Sequence, residues 1–235
     1  AMSLWTEFVK DAAISTRVSQ GEHVLSKLYK EARNVRQTYE DFMTRMSVKT
    51  GATYTPVRIK RILRCIEKGA VCHHDEETFK FDNVCDIVRG ALVYDSLKEL
   101  THGAKCVMNS EEFTVTRFKD RFSKGKETAG GWRDAMITGY LESDKDRHQV
   151  EIQLHLNCLL KLRSMGGSVG GGHRLYATYR SLEEALKVAY GQRRVTETIE
   201  KHGQTSPHPR PLPKRPKPRR ERSRTTARRA SSTTP

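Results

Sequence analysis

Three polar side chains, Glu151, Gln153 and His155, occupy alternate positions in the segment from His148 to Leu156, and Val150, Ile152, Leu154 and Leu156 fill the places between them. A period of two predicts a β-strand that buries its aliphatic residues on one face and aligns a carboxylate, an amide and an imidazole on the other. One face packs, and the other carries groups that take protons, bind cations or orient a ligand. A plain amphipathic strand with its polar side in water has the same alternation, so the decision lies with the other segments.

A second carboxylate stands in Val84 to Tyr94, a mostly apolar run that reads as a central strand. Asp86 and Arg89 interrupt it. Charges in a buried strand are costly without partners, so these two either satisfy one another or face a ligand at the sheet edge.

Cations gather in two further places. Thr55 to Lys60 leads into a predicted helix whose apolar stripe is Ile59, Ile62, Leu63 and Ile66 and whose end is Gly69. Arg58, Lys60, Arg61 and Arg64 crowd its first half, against the helix dipole, which suits an anionic ligand as well as a solvated basic face. Phe113 to Phe118 alternates as another strand and runs into a basic loop, Lys119 to Lys126. Gly130, Gly131, Trp132, Arg133 and Asp134 follow, before a strand through Ile137 and Tyr140. Positive charge for phosphates, glycine for close backbone approach and a flat aromatic for a base are what a nucleotide site requires.

The elements that must position these groups are also legible. Residues 20 to 48 repeat apolar side chains at threes and fours, predicting one long helix stopped by Gly51, and Trp5, Phe8 and Val9 suggest a short helix on the same core. Asp95 to Gly103 and the stretch through Leu159 and Met165 read as short helices. Gly166 to Gly172 lacks the Gly-Lys-Ser/Thr ending of a phosphate-binding P-loop and reads as a flexible turn. A last helix is expected from His173 to about His202, presenting His173, Arg174 and Arg180 near those glycines. Cys72 to Asp75 has the residue types of a zinc site, but no second cluster supplies its partners, so it reads as a polar loop.

Length fits one domain with appendages: 235 residues. Of the net charge of +15, +9 lies in Gly203 to Pro235, together with seven of the eight prolines, which predicts a disordered basic tail. Pro213 to Arg220 within it suits a nuclear import signal or a binder of RNA and other polyanions. Five scattered cysteines predict reduced thiols in an intracellular protein, cytoplasmic unless the tail directs it to a nucleus. There is no apolar run of the roughly 18 to 20 residues that span a bilayer, and no signal-peptide pattern opens the chain.

In this order the segments resemble the RelA/SpoT synthetase domain, a nucleotidyltransferase-like family that moves pyrophosphate from ATP to GDP or GTP. The resemblance runs from about Arg58 to Arg180. Arg58-Ile-Lys60 is similar to the family's Arg-x-Lys, which holds ATP phosphates, and Asp86-Ile87 to the Asp-Ile that opens its metal strand. Lys119-Asp120 with Gly131-Trp132-Arg133 resembles Lys-Asp-Tyr and Gly-Tyr-Arg, whose aromatic stacks on the acceptor guanine. Val150-Glu-Ile-Gln153 resembles Glu-Val-Gln-Ile, whose glutamate serves the metal and the attacking hydroxyl.

The resemblance implies an α+β fold, a mixed sheet flanked by helices, with residues 1–50 a helical segment, 51–202 the nucleotidyltransferase-like domain and 203–235 the tail. It implies Asp86 and Glu151 as catalytic carboxylates and Mg2+ ligands, with Arg58, Lys60, Arg89, Lys119, Trp132, Arg133, Gln153 and His173 binding ATP and a guanosine nucleotide. The expected activity is magnesium-dependent transfer of pyrophosphate to the 3'-hydroxyl of GDP, GTP or a related nucleotide. The alternative is an inactive domain that binds nucleotide or RNA. Three departures bear on it: Arg89 replaces a glycine while Ala91 stands where the family has arginine, Met136 replaces a histidine, and the closing His-x-x-x-Tyr-Lys is altered around His173.

Overall fold

β2 (Val88–Tyr94) and β5 (Val150–Leu156) run parallel, side by side, in a five-stranded sheet of order β1-β2-β5-β4-β3, whose other pairings are antiparallel. The computed structural model describes residues 2–12, 18–72, 81–128 and 131–165, and the single helical positions 178, 181, 182, 185 and 186. The expected nucleotide-binding residue His173 and the expected tail at 203–235 lie outside the described residues. The mixed sheet with its helices is the α+β class that the sequence predicts.

Element order is α1 (Met2–Asp11), α2 (Leu25–Thr50), β1 (Thr53–Ile59), α3 (Ile62–Cys72), β2, α4 (Leu97–Met108), β3 (Phe113–Asp120), β4 (Ala135–Leu141), β5 and α5 (Asn157–Met165). The long helix begins at Leu25 rather than at residue 20. Glu22 explains the start, since its carboxylate accepts from the backbone N–H of His23 and Val24, both at 2.8 Å. Gly51 closes the helix in the left-handed conformation at φ 71°, as the glycine after the last apolar turn predicts. α4 opens on a capping box, Ser96 with Glu99.

Core packing lies on one side of the sheet. Leu28, Val35, Tyr39 and Phe42 of α2 and Leu100, Ala104 and Val107 of α4 meet Leu92, Ile137, Ile152 and Leu154. α1 joins this core through Trp5, whose ring lies 5.4 Å from Phe8 and Phe122 and 5.9 Å from Phe118. Its indole N–H donates to Asp120 Oδ1 at 3.0 Å, so the end of β3 is tied to the first helix.

Two corrections concern local structure. The segment through Arg58 and Ile59 is strand β1, not the start of a helix, and Ile62, Leu63 and Ile66 of α3 are exposed rather than a buried stripe. Pro56 gives the reason: the β1 register slips between Thr55 and Arg58, and a residue without an N–H is tolerated at such a bulge. α3 also runs past Gly69 to Cys72; at Gly69 a Cβ would lie 2.6 Å from the Phe81 ring, so that glycine serves close packing. The second correction is that β2 begins at Val88, which leaves Asp86 in the turn before the strand instead of inside it.

Candidate active site

The sheet face away from the α2 and α4 core carries the charged residues, and strand register puts four of them and a threonine in one line. Arg58 on β1 pairs with Arg89 on β2, Arg89 with Glu151 on β5, Glu151 with Thr138 on β4, and Thr138 with Arg117 on β3. The bulges matter here. Those at Thr55/Arg58 and Val115/Arg117 each add a residue, which returns Arg58 and Arg117 to this face. The next line along the same face holds Ala91, Gln153, Met136 and Lys119.

Glu151 lies at the centre of the first line and is 6% exposed. Burial, and then the charge of Asp86, push its carboxyl up from the ordinary range, against the hydrogen bond from Gln153 and the charges of Lys68 and Arg89. Gln153 Nε2 donates to Glu151 Oε1 at 2.8 Å, and His155 Nε2 lies 3.4 Å from Gln153 Oε1. The alternation on β5 therefore does align the three polar groups, but they are covered, not solvated. From the core side Tyr39 donates its hydroxyl to the Glu151 carbonyl at 2.8 Å, which pins the strand at this residue.

Asp86 stands beside this line with two ammonium partners, Lys60 Nζ at 2.6 Å and Lys68 Nζ at 3.0 Å. Burial alone would raise its carboxyl, and Lys68 and Lys60 together outweigh it and hold the group well below the usual carboxylate range. Arg89 is not its partner. The cation displaced by two residues relative to the family pattern pairs in register with Glu151, whereas Ala91 pairs with Gln153. Gln20 ties the segment before Asp86 to the start of β5: it donates to the carbonyls of Val84 and Gln149 and accepts from the Gln149 N–H.

The remaining predicted residues fall at the other end of the same face. Trp132 is half-buried. Its N–H donates to Asp134 Oδ2 at 2.9 Å, its ring is 5.9 Å from that of His155, and the Arg163 guanidinium lies 5.0 Å from the ring centroid. Gly131, at φ 75°, turns the chain into it, and Thr128 holds the turn through three hydrogen bonds with Gly131 and Trp132. Arg133 is tied to the Phe122 carbonyl at 2.9 Å and to Glu127 at 3.5 Å. Lys119 is exposed, and desolvation of its ammonium, then Arg121 and Arg117, lower its basicity.

Lys68, Arg117 and Thr138 belong to the site and escaped the sequence reading. No local pattern marks them: Lys68 lies on a helix, and Arg117 and Thr138 reach Glu151 only through register. Arg117 Nη2 donates to Thr138 Oγ1 at 3.2 Å.

One carboxylate in the turn before β2 and one on β5, with cations around them, suit a divalent ion that is held by one or two carboxylates and otherwise by phosphate and water oxygens. The fit has a physical basis, because the Asp86 charge disfavours ionisation of Glu151 and a cation between them would relieve that conflict. Among the described residues no group of three or more His, Cys, Asp or Glu side chains is assembled for a metal. Nor is any helix there long and apolar enough to cross a membrane.

The small alarmone synthetase 1 of Bacillus subtilis, in a crystal structure bound to its product pppGpp, superposes with a TM-score of 0.52 at 14% identity, covering 77% of this chain and 97% of that one. The chain has the fold of a small alarmone synthetase. The small alarmone synthetase 2 of the same organism aligns at 12% identity and a TM-score of 0.47, covering 76% and 97%. The type VI effector Tas1, in complex with its immunity protein, aligns at 18% identity and 0.47, covering 79% and 100%. No protein-family model and no curated protein sequence matches the chain. The RelA/SpoT resemblance carried by four short motifs thus holds at the level of the synthetase fold, on which Arg58, Arg89 and Glu151 share one line.

Proposed function

We propose that the protein is a divergent RelA/SpoT enzyme, a pyrophosphokinase that transfers pyrophosphate from ATP to the 3'-hydroxyl of GDP, GTP or a related nucleotide. The observation that carries this reading is the line Arg58, Arg89, Glu151, Thr138, Arg117, with Asp86 and its two lysines beside it. The superposed synthetase with bound pppGpp supports it through the fold.

The reaction needs a hydroxyl brought in line with the β-phosphorus of ATP. The new bond joins the 3'-oxygen to that phosphorus, the bond from the β-phosphorus to the bridging oxygen of AMP breaks, and the hydroxyl proton goes to a base. Catalysis of such a step is mostly positioning and charge neutralisation. Glu151 is the base, since a carboxyl raised by burial holds a proton closer to neutrality than an exposed one does. Arg58, Arg89, Lys60 and Lys119 hold the ATP phosphates, Gln153 orients Glu151, and Trp132 carries the acceptor base with Arg133 shaping its loop. Asp86 and Glu151 would hold Mg2+, which when bound neutralises charge on the transferring phosphates. Lys60 or Lys68 then exchanges Asp86 for a phosphate oxygen.

That existing double ion pair also favours a second reading, a domain that binds nucleotide or RNA without transfer, in which Asp86 serves only to hold its lysines. Incubation of the full chain with magnesium, labelled ATP and, separately, GDP, GTP or no acceptor distinguishes the two. AMP plus a pyrophosphorylated nucleotide, both absent with Glu151→Gln, is the expected outcome. Bound magnesium nucleotide with no product under any of these conditions would select the binding reading.

A further inference from the structure

His155 carries a buried ring nitrogen, Nδ1, that has no hydrogen-bond partner, and the residue is 7% exposed. The opposite nitrogen explains its state. Gln153 uses its amide N–H on Glu151, so its oxygen is left to accept, and His155 Nε2, at 3.4 Å from that oxygen, is the protonated nitrogen. Burial, aided by Arg163 and opposed by Asp134, keeps the ring neutral. Nδ1 therefore presents a bare lone pair. A buried acceptor without a donor costs free energy in the ligand-free protein, and one on a site face asks for a donor from the ligand.

The surroundings define that ligand. The Trp132 ring is 5.9 Å away, Arg163 lies over the indole, and the apolar Met136 pairs in register with Gln153 where the family pattern has a histidine. The indole, with the Arg163 guanidinium on one side of it, and the Met136 thioether give Nδ1 neighbours suited to a flat group stacked on the other indole face, and the lone pair reads an N–H on that group's edge.

We propose that Nδ1 of His155 accepts a hydrogen bond from an N–H on the edge of the acceptor's nucleobase and thereby selects bases that carry such a donor. The inference rests on the proposed transferase, in which the acceptor base lies on Trp132. It assigns to His155 a positioning and specificity role. Guanine and adenine satisfy it through ring or exocyclic N–H groups. Purine riboside, which keeps the flat face and has no base N–H, does not.

The test follows the nitrogen itself. In the full chain with 15N-labelled histidine, the non-protonated Nδ1 resonance of His155 is recorded with magnesium and a non-hydrolysable ATP analogue, before and after addition of GDP, ADP or purine riboside diphosphate. At least one of GDP and ADP should move it in the direction of hydrogen-bond acceptance, and purine riboside diphosphate should bind without doing so. In steady-state assays His155→Gln, which retains a polar group near Gln153 and loses the acceptor at the δ position, should raise the acceptor KM by about threefold to tenfold. The ATP KM and kcat should stay unchanged, and His155→Asn, whose δ oxygen replaces the lone pair, should stay close to wild type. An unmoved Nδ1 with GDP and ADP both bound, as followed by calorimetry, overturns the inference and leaves the transferase standing. An equal shift with purine riboside diphosphate assigns the donor to the ribose and also overturns it. If calorimetry detects no binding of GDP, GTP, ADP or ATP to the wild-type chain, the transferase reading falls together with this one.

Discussion

Lys60 donates its ammonium to Asp86 across 2.6 Å, and that bond joins the residue after β1 to the turn before β2. Both side chains are largely buried, at 12% and 14% exposure, and Lys68 supplies a second ammonium at 3.0 Å. Removing one partner of a buried ion pair strands charge, at a cost of roughly 3–5 kcal/mol when nothing else compensates. Here Lys68 remains, so Lys60→Met should lower unfolding stability by about 1–3 kcal/mol. The same substitution made in an Asp86→Asn background should cost much less, because a neutral amide needs no counter-ion. Urea denaturation of the four proteins reads both numbers. An equal cost in the two backgrounds would mean that Lys60 acts through packing and that the ion pair is incidental.

Glu151 sits under the opposite constraint, an acid pressed by burial and by the neighbouring Asp86 charge. Glu151→Gln removes that like-charge conflict and can keep a hydrogen bond to Gln153. Transfer activity should fall by at least 100-fold, the lower end of what a positioned general base contributes. Stability should be unchanged or higher. The pair of measurements matters more than either alone: activity lost together with stability would place Glu151 in the scaffold, and activity retained would remove it from the proposed chemistry.

Much of this site was legible before the fold was known, and the illegible part has a common cause. Alternation on β5 located Glu151, Gln153 and His155 on one face, and the apolar run through Leu92 located β2 as its buried neighbour. What alternation cannot report is register between strands distant in sequence. Arg117 and Thr138 enter the line only because β3, β4 and β5 pair at those positions, and Arg58 only because a bulge beside Pro56 adds a residue. Asp86 looked misplaced in a strand because the apolar residues on either side of it, Val84 and Ile87, are buried in a turn. The cover on Trp132 is illegible locally because Arg163, which lies over its ring, stands 31 positions along the chain, on α5.

Tyr39 shows how the core side reaches the site. It is fully buried, and its hydroxyl donates to the Glu151 carbonyl at 2.8 Å, through the middle of the sheet. Tyr39→Phe keeps the ring packing and deletes this one bond, for an expected loss of about 1 kcal/mol. Because the bond pins the backbone of the proposed base, kcat should fall while the KM for ATP changes little. A variant with wild-type kcat at reduced stability would show that β5 is held by its neighbouring strands alone.

His148 gives the acid limit of the fold a specific origin. Its ring is fully buried, Nδ1 lies 3.2 Å from Glu31 Oε2, and Nε2 has no partner. Burial, partly opposed by Asp146, lowers its pKa from 6.5 to about 4. The unfolded chain therefore binds more protons between those two values, and unfolding free energy falls as pH drops through that window. Above pH 6.5 the contribution is complete, and below about 4 it is gone. A shift of this size corresponds to about 3 kcal/mol at most. Glu31 itself acts in the opposite sense, since burial and then the charges of Asp146, Glu22 and Asp144 raise its carboxyl, which favours the folded state as pH falls. Chemical denaturation at pH 7, 5.5 and 4 separates the two. Wild type should lose stability through this range, and His148→Gln, which cannot take up the proton, should start lower and decline less. A parallel decline in both proteins would assign the acid sensitivity to other groups.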